Sequence, residues 1–420
     1  MADHSGTDAG GGRRSAALAL ALVAVVLAPV SLTAGEIGPD EDWCRAIDAL
    51  PPGEELVLRP GEYAGGCSIR RGGLPGAPLV IRAEDPTNPP RLVYQGSTSN
   101  VIDVRASHVV IKNLALGHTQ RGVDGVRIHG AVDVTVEGCR FTDLGGIAVV
   151  ANRTSSRDIV VRGNVIERVR ATAMYFGCHD GVRCAVTGVV VERNHIDGVD
   201  APEREIGYGL QVKLNSSAVV RDNVILDTKG PAIMVYGATP GGPGSLVEAN
   251  LVGGSRTSSG IVVAGGPVVV RNNIAVRNAE AGIGLENYHA RGLLRDIVIA
   301  SNTVHGNGEA GIAVPRDGVA NVRIVNNAVH AQIRGRALPA NAGVLARGNV
   351  DCTLLVCFRA PEQLDFSPAP GSPLVGRGAV TAGDAMAARD YFGRERGVPP
   401  TVGAVEGSAP AIRPGVKPLR

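Results

Sequence analysis

Residues suited to acid–base chemistry stand near the ends of three neighbouring copies of one apolar pattern. Lys213 and Tyr236 lie near the ends of the segments YGLQVKL and PAIMVYG, and Gln211 stands two residues before Lys213. Tyr175 has the position of Gln211 in the preceding copy, TAMYFGC. Lysine and tyrosine can donate a proton to an oxyanion, and with a lowered pKa they can accept one. The same residues also fit a solvated lysine beside a turn and an exterior aromatic patch.

A second repeated segment carries an asparagine near its end and alternates with the first. Its copies have the asparagines Asn164, Asn194, Asn223, Asn250, Asn273, Asn302 and Asn327, spaced by 30, 29, 27, 23, 29 and 25 residues. Periods of this length are typical of a solenoid. Asparagine tolerates left-handed backbone torsions at a bend, and its amide can bond to the equivalent amide one coil away. We therefore predict coils of two or three short strands with an internal asparagine ladder.

Composition supports many short strands joined by tight turns. The chain has 57 glycines and only 3% aromatic residues, and its other apolar residues are mostly valine, isoleucine, alanine and leucine. The formal net charge is +2, so no broad basic surface for nucleic acid is expected. A site for a charged substrate therefore has to be local.

The N-terminus has the pattern of an export signal. Two arginines precede an apolar run over residues 16–32, and small residues follow at about residue 34, so we predict a signal peptide over residues 1–34. This predicts a secreted, periplasmic or cell-envelope protein with no membrane span after cleavage. The alternative is an uncleaved membrane anchor, since the run is near the lower length limit for a span.

Seven cysteines fit an exported chain. Two pairs bracket short loops, Cys178 with Cys184 and Cys352 with Cys357, and a third pairing across the first turns is possible between residues 44 and 67. Connectivity does not follow from spacing alone. Cys139 remains and occupies a ladder position, so we predict a buried, inert thiol.

Further candidates lie in the longer loops beside the central copies. Glu286, His289 and His179 could contact a substrate hydroxyl or a cation, or could be ordinary surface residues. A loop with four acids in nine residues could bind calcium, although its spacing matches no defined calcium loop and a solvated acidic loop is the alternative. These four acids are Asp197, Asp200, Glu203 and Glu205.

The repeats resemble the right-handed parallel β-helix superfamily, which includes pectate lyases, polygalacturonases, chondroitinase B and related alginate lyases. Residues 43–85 look like the N-terminal region of these proteins, where a short amphipathic helix caps the open end. The resemblance implies an all-β, right-handed parallel β-helix with a short N-terminal capping helix. It divides the chain into a cap with first coils over 35–100, repeats over 101–350, and a C-terminal cap and tail over 351–420.

The segment LQVKLNS is similar to the strand that supplies the catalytic lysine of the chondroitinase B and alginate lyase family. This implies β-elimination from a uronate-containing polysaccharide, with Lys213 as the base or carboxylate neutraliser and Tyr236 as the acid. Tyr175 and Gln211 would contact substrate. The family has an arginine about one coil later, where this chain has Tyr236. A non-catalytic surface or envelope protein that binds glycans, or a purely structural β-helix, is the alternative, and the absence of closely paired aspartates on this face disfavours a hydrolase.

Overall fold

The computed structural model describes residues 34–331, 337–339, 343–380 and 388–412. The predicted signal peptide lies outside these residues, apart from Ala34. In the described part of the chain, no helix is long and apolar enough to cross a membrane.

Three parallel sheets lie side by side within residues 34–351, and a typical coil adds one short strand to each sheet. A central coil illustrates the order: Ala218–Arg221 in the first sheet, Val224–Thr228 in the second and Ile233–Val235 in the third. The next coil begins at Ser245 in the first sheet, directly beside Ala218–Arg221. The fold is therefore a right-handed parallel β-helix, which confirms the predicted fold class.

The first sheet has 14 strands within the described residues: Ala34–Ile37, Glu55–Leu58, Leu79–Ala83, Val109–Lys112, Val132–Glu137, Ser156–Arg162, Val186–Thr187, Val189–Glu192, Ala218–Arg221, Ser245–Glu248, Val268–Arg271, Arg295–Ala300, Ala320–Val325 and Val344–Arg347. The second sheet has 12 in the same part of the chain: Glu62–Ala64, Arg91–Val93, Ala115–Gly117, Arg140–Leu144, Val165–Val169, His195–Val199, Val224–Thr228, Leu251–Gly253, Ile274–Val276, Thr303–Asn307, Ala328–Ala331 and Val350–Asp351. Among the described residues, the third sheet has ten strands: Cys67–Ile69, Ile102–Val104, Val126–Ile128, Val149–Ala151, Met174–Phe176, Leu210–Val212, Ile233–Val235, Ile261–Val263, Ala281–Leu285 and Ala310–Ala313.

A short helix covers the N-terminal end of the stack. The helix Trp43–Ala49 begins after Asp42, whose carboxylate accepts hydrogen bonds from the next backbone amides. Trp43 and Ile47 are buried in the same apolar core as the interior of the coils, and the indole Nε1 of Trp43 donates to the carbonyl of Ala64 at 2.6 Å. The helix thus shields the apolar end of the stack, as predicted.

The C-terminal region lies along the outside of the second sheet. Two antiparallel strands, Phe358–Ala360 and Asp365–Pro368, and the residues that follow form an apolar cluster with outward side chains such as Leu251 and Ile274. The backbone amide of Ala404 donates to Thr303 Oγ1 at 2.9 Å. The tail therefore covers the outer face of this sheet over several coils.

The disulfide predictions are confirmed. Bridges join Cys44 to Cys67, Cys178 to Cys184, and Cys352 to Cys357. Cys139 is free and buried, and burial raises the pKa of its thiol to about 12, so the thiol is protonated and inert at neutral pH.

The asparagine ladder lies at the turn between the first and second sheets. At each step the Nδ2 of one asparagine donates to Oδ1 of the next, as from Asn194 to Asn223 and from Asn223 to Asn250, both at 2.9 Å. The same Oδ1 also accepts a hydrogen bond from the backbone amide of the ladder asparagine one coil earlier. The ladder continues beyond Asn327 to Asn349, and Cys139 closes its other end through its backbone amide.

The bend itself falls on the residue before each ladder asparagine. Arg193, Ala249 and Ser301 all have φ of 54° although they are not glycine. We expected the asparagines to adopt this left-handed conformation, and the structure corrects that expectation. Because each asparagine side chain has to point into the coil to reach the next one, the preceding residue makes the bend.

Substituting Asn223 by alanine should lower the free energy of unfolding by about 2–4 kcal/mol, because the buried amide and backbone donors of Asn194 lose their acceptor. Chemical denaturation followed by circular dichroism measures this. Asn88→Ala, at an exposed turn, is the control and should change stability by no more than about 0.5 kcal/mol. Equal effects of the two substitutions would contradict a stabilising ladder.

Candidate active site

Parallel register places equivalent residues of the third sheet in two outward rows. The first, here called the glutamine row, contains Asp103, Arg127, Val150, Tyr175, Gln211, Met234, Val262 and Gly284. The second, here called the lysine row, contains the residues that directly follow these strands: Arg70, Arg105, His129, Asn152, Gly177, Lys213, Tyr236, Ala264 and Glu286.

The sequence repeats misplace one coil in these rows. They predict Ala148 and Val150 where the structure has Val150 and Asn152. The coil that contains Val149–Ala151 has no polar residue within the apolar run IAVV to mark its register, so this run fits both alignments. The central coils have the predicted register.

Lys213 lies in the lysine row beneath side chains from later coils and is only 3% exposed. Its Nζ is 3.8 Å from the ring centroid of Tyr236 and 5.8 Å from that of Tyr175. Within the described residues, no carboxylate lies within ion-pair distance of this nitrogen. Burial lowers the pKa of Lys213 to about 8, and the charge of Arg291 contributes. A substantial fraction of the amine is therefore neutral near physiological pH.

The turn after Lys213 joins three coils. Asn215 has a φ of 62°, donates through Nδ2 to the carbonyl of Gly181, and accepts the backbone amide of Thr239 on Oδ1 at 2.9 Å. Gly177 stands beside Lys213, and a Cβ there would lie 2.9 Å from the Lys213 Cβ. The glycine thus provides the space that the lysine stem occupies.

Tyrosines surround the ammonium group. The hydroxyls of Tyr236 and Tyr208 are 3.1 Å apart, and the ring of Tyr288 meets that of Tyr236 edge-on with centroids 5.0 Å apart. Burial raises the pKa of Tyr236 strongly, so its hydroxyl remains protonated and can donate. Burial also raises the pKa of Tyr175 to about 12, and the hydroxyl of Tyr175 is buried without a hydrogen-bond partner in the described chain.

Sequence reasoning missed Tyr208 and Arg291. Arg291 follows the short 3₁₀ turn Tyr288–Ala290, and its guanidinium lies 5.6 Å from the Tyr288 ring centroid. It supplies a second positive charge near Lys213, from a loop two coils beyond the position where the related strand pattern has its arginine. The length of this loop is the only sequence signal that pointed to it.

The other predicted substrate contacts differ in their exposure and in their distance from the tyrosine cluster. Gln211 is 4% exposed, and its Nε2 donates to Thr172 Oγ1 at 3.4 Å. Glu286 continues the lysine row as an exposed side chain. His289 is exposed with its ring 4.1 Å from that of Tyr288, so it borders the aromatic cluster, whereas His179 is exposed in the disulfide loop.

The four acids of the predicted calcium loop do not converge. Asp200 pairs with Arg256 at 3.0 Å and Glu205 with Arg121 at 3.5 Å, while Asp197 and Glu203 belong to neither pair. The ammonium of Lys229 donates to three backbone carbonyls of this loop. The described residues contain no group of three or more metal-ligating side chains. Calcium binding here stays a prediction.

Comparison with known proteins agrees with this geometry. The family profile described as "Right handed beta helix region" matches residues 93–252 and 180–354, together more than half of the chain. The chain belongs to the right-handed β-helix family. No curated protein matches it.

Solved β-helix structures share the fold at low identity. The crystal structure of pectate lyase Pel9A has a TM-score of 0.57 at 14% identity, over 90% of this chain and 98% of that one. The alginate lyase AlyF-OU02 has a TM-score of 0.52 at 14% identity, over 80% and 81%. The periplasmic alginate epimerase AlgG has a TM-score of 0.50 at 12% identity, over 76% and 83%. This β-helix is therefore similar in fold to polysaccharide lyases and an epimerase.

Replacing Lys213 by methionine should stabilise the protein at neutral pH, because the folded state disfavours the ammonium. The pKa falls from 10.5 to about 8, so the penalty is complete below pH 8 and disappears as the pH rises to 10.5. Each pKa unit corresponds to about 1.4 kcal/mol, so Lys213→Met should gain up to about 3 kcal/mol at pH 7. Denaturation of both proteins across this pH range measures the difference.

Lys112→Met is the control, since the Lys112 side chain is 39% exposed and pairs with Glu137 at 3.5 Å. Its replacement removes no buried charge and should give no comparable gain in stability. A gain from Lys213→Met that is independent of pH would show that the buried lysine keeps an ordinary pKa.

Proposed function

We propose that this protein is an exported polysaccharide lyase that cleaves a uronate-containing glycan by β-elimination, with Lys213 as the base. The observation that carries the proposal is a buried lysine with a lowered pKa and no carboxylate partner in the described chain, packed against the rings of Tyr236 and Tyr175. Such a lysine is suited to remove a proton from carbon at neutral pH.

The residues supply each part of an elimination. Arg291 would bind the uronate carboxylate and lower the energy of the carbanion that forms at C5. Neutral Lys213 would take the C5 proton, the C4–O4 bond would break, and a C4–C5 double bond would form. Tyr236 would protonate the departing O4.

The proton balance closes within the same cluster. Loss of its proton leaves Tyr236 as a phenolate, which its raised pKa disfavours. The Lys213 ammonium lies against the Tyr236 ring and not against its hydroxyl, so the proton would return from Nζ to the phenolate oxygen through a solvent water after the product leaves. The proton taken from C5 thus balances the one given to O4, and both residues regain their starting states.

The structural neighbours support an acidic polysaccharide as the substrate. Their names describe pectate and alginate lyases and an alginate epimerase, and pectate and alginate are polymers of uronates. The three disulfides support export, because such bonds persist in oxidising compartments.

A second candidate function is glycan binding without turnover. Lys213 and Gln211 are only 3% and 4% exposed, and Tyr288 and Leu293 belong to the apolar cluster that contains Tyr236. A substrate can reach the amine only if the 286–294 loop moves. If that loop stays closed, the tyrosines form a structural cluster and a glycan would bind at its rim.

Lys213→Ala should reduce elimination on alginate or pectate by at least about a hundredfold, since a positioned base contributes that much. Ultraviolet absorbance of the unsaturated product measures turnover. Wild-type kcat/KM should rise with pH to a plateau above about 8, because only neutral Lys213 accepts a proton. Lys213→Arg should not rescue activity, since arginine stays charged, and Lys112→Ala should retain it. Full turnover by Lys213→Ala would refute the mechanism.

Tyr236→Phe and Tyr175→Phe should separate chemistry from binding. Removing the Tyr236 hydroxyl should lower kcat by about a hundredfold or more, as expected for a general acid. Tyr175→Phe should mainly raise KM, because its hydroxyl is a substrate contact. Reactions in deuterated water give a further check: deuterium in recovered polymer without unsaturated product would identify an epimerase. If Tyr175→Phe lowered kcat and Tyr236→Phe did not, Tyr175 would be the acid and Tyr236 the substrate contact.

A further inference from the structure

The two ends of the lysine row differ in charge. On the N-terminal side of Lys213 the row contains Gly177, Asn152, His129, Arg105 and Arg70, whereas on the other side it contains Tyr236, Ala264 and the exposed carboxylate of Glu286. Parallel strands are about 4.8 Å apart, so Arg105 and Arg70 are roughly 19 Å and 24 Å from Lys213 along the row.

Arg70 and Arg105 are available for an anion. Both are exposed, and within the described residues neither has an ion pair. The neighbouring Arg127 of the glutamine row differs, because its guanidinium donates to Asp124 and to Asn152 Oδ1, the latter at 2.8 Å. The free positive charge of this face is therefore in the lysine row.

His129 lies in the lysine row between Arg105 and the central coils and can form a hydrogen bond with a bound sugar. Its Nε2 is 2.7 Å from Asp103 Oδ1, and Asp103 also accepts from Asn100 Nδ2 at 3.0 Å and from Ser99 Oγ at 3.1 Å. This bond fixes the tautomer with the proton on Nε2 and leaves Nδ1 as an acceptor. Burial lowers the pKa of His129, and the charge of Arg105 adds to this against the opposite effect of Asp103. The Nδ1 of neutral His129 can thus accept a hydrogen bond from a sugar hydroxyl.

We propose that an acidic glycan chain binds along the lysine row from Lys213 toward the N-terminal cap, with its carboxylates at Arg105 and Arg70 and a hydroxyl at His129. The inference rests on the proposed function and adds the direction and extent of the bound chain. Arg291 is assigned to the carboxylate of the reacting unit, and beyond it the row ends at the carboxylate of Glu286, which repels a polyanion, so the chain extends mainly toward Arg105 and Arg70.

Binding of uronate oligomers to Lys213→Ala, which cannot cleave them, tests the proposal by calorimetry. Replacing both Arg70 and Arg105 by alanine should weaken binding of long alginate or pectate oligomers by about three- to tenfold, the loss expected for two exposed ion pairs. A uronate disaccharide, too short to reach either arginine, should bind unchanged. Added salt should weaken binding of the long oligomer more in Lys213→Ala than in the variant that also lacks Arg70 and Arg105.

Arg295→Ala with Arg347→Ala is the matched control, since both arginines are exposed on the first sheet and their loss changes the net charge equally. The proposed binding along the lysine row is wrong if the control and test variants lose equal affinity for long oligomers. It is also wrong if the test variant loses as much affinity for the disaccharide as for the long oligomers. Unchanged binding of long oligomers by the test variant would also contradict binding along the lysine row. Turnover of a uronate polymer by the wild-type protein would still support the proposed function in that case. If no uronate polymer is bound or cleaved, both proposals fail together.

Discussion

The structure depends on the in-register stacking of parallel strands, which places every residue directly against its equivalent in the next coil. Stacking satisfies the backbone of each strand, but the turns between sheets leave buried polar groups that need other partners. At the turn between the first and second sheets, the Asn223 amide accepts from one coil and donates to the next. A buried polar group costs free energy unless it is paired, so the ladder favours one register over its alternatives.

The same register turns single residues into a continuous surface. Lys213 and Tyr236 are 23 positions apart in sequence but are neighbours in one row because Val212 pairs with Val235. The turn after Lys213 adds bonds to the coils on both sides through Asn215. Rigid stacking therefore fixes the lysine stem, and the loops that cover it determine its exposure and charge.

The repeat period was sufficient to predict a solenoid of short strands, the ladder and the row that contains Lys213, because each follows from residues that recur at a fixed position; the right-handed parallel β-helix was implied by the family resemblance. The Cys178–Cys184 bridge was suggested by the short loop between the two cysteines, and the structure confirms it. Tyr208 and Arg291 were not predicted, since their positions depend on loop conformations that the period does not determine. The near-complete burial of Lys213 was missed for the same reason: Tyr288 and Leu293, which pack against its neighbour Tyr236, come from a loop three coils after Lys213.

Buried charges elsewhere in the described chain show what is unusual about Lys213. Arg127 is bonded to Asp124, and Arg396 has Glu406 at 3.4 Å together with backbone carbonyls. Burying an unpaired ammonium is costly, and the cation–π contact with Tyr236 offsets only part of that cost. A carboxylate beside Lys213 would stabilise the folded protein, but it would also raise the lysine pKa and repel an anionic substrate. With tyrosines and Arg291 beside it instead, the lysine keeps a low pKa at the expense of stability.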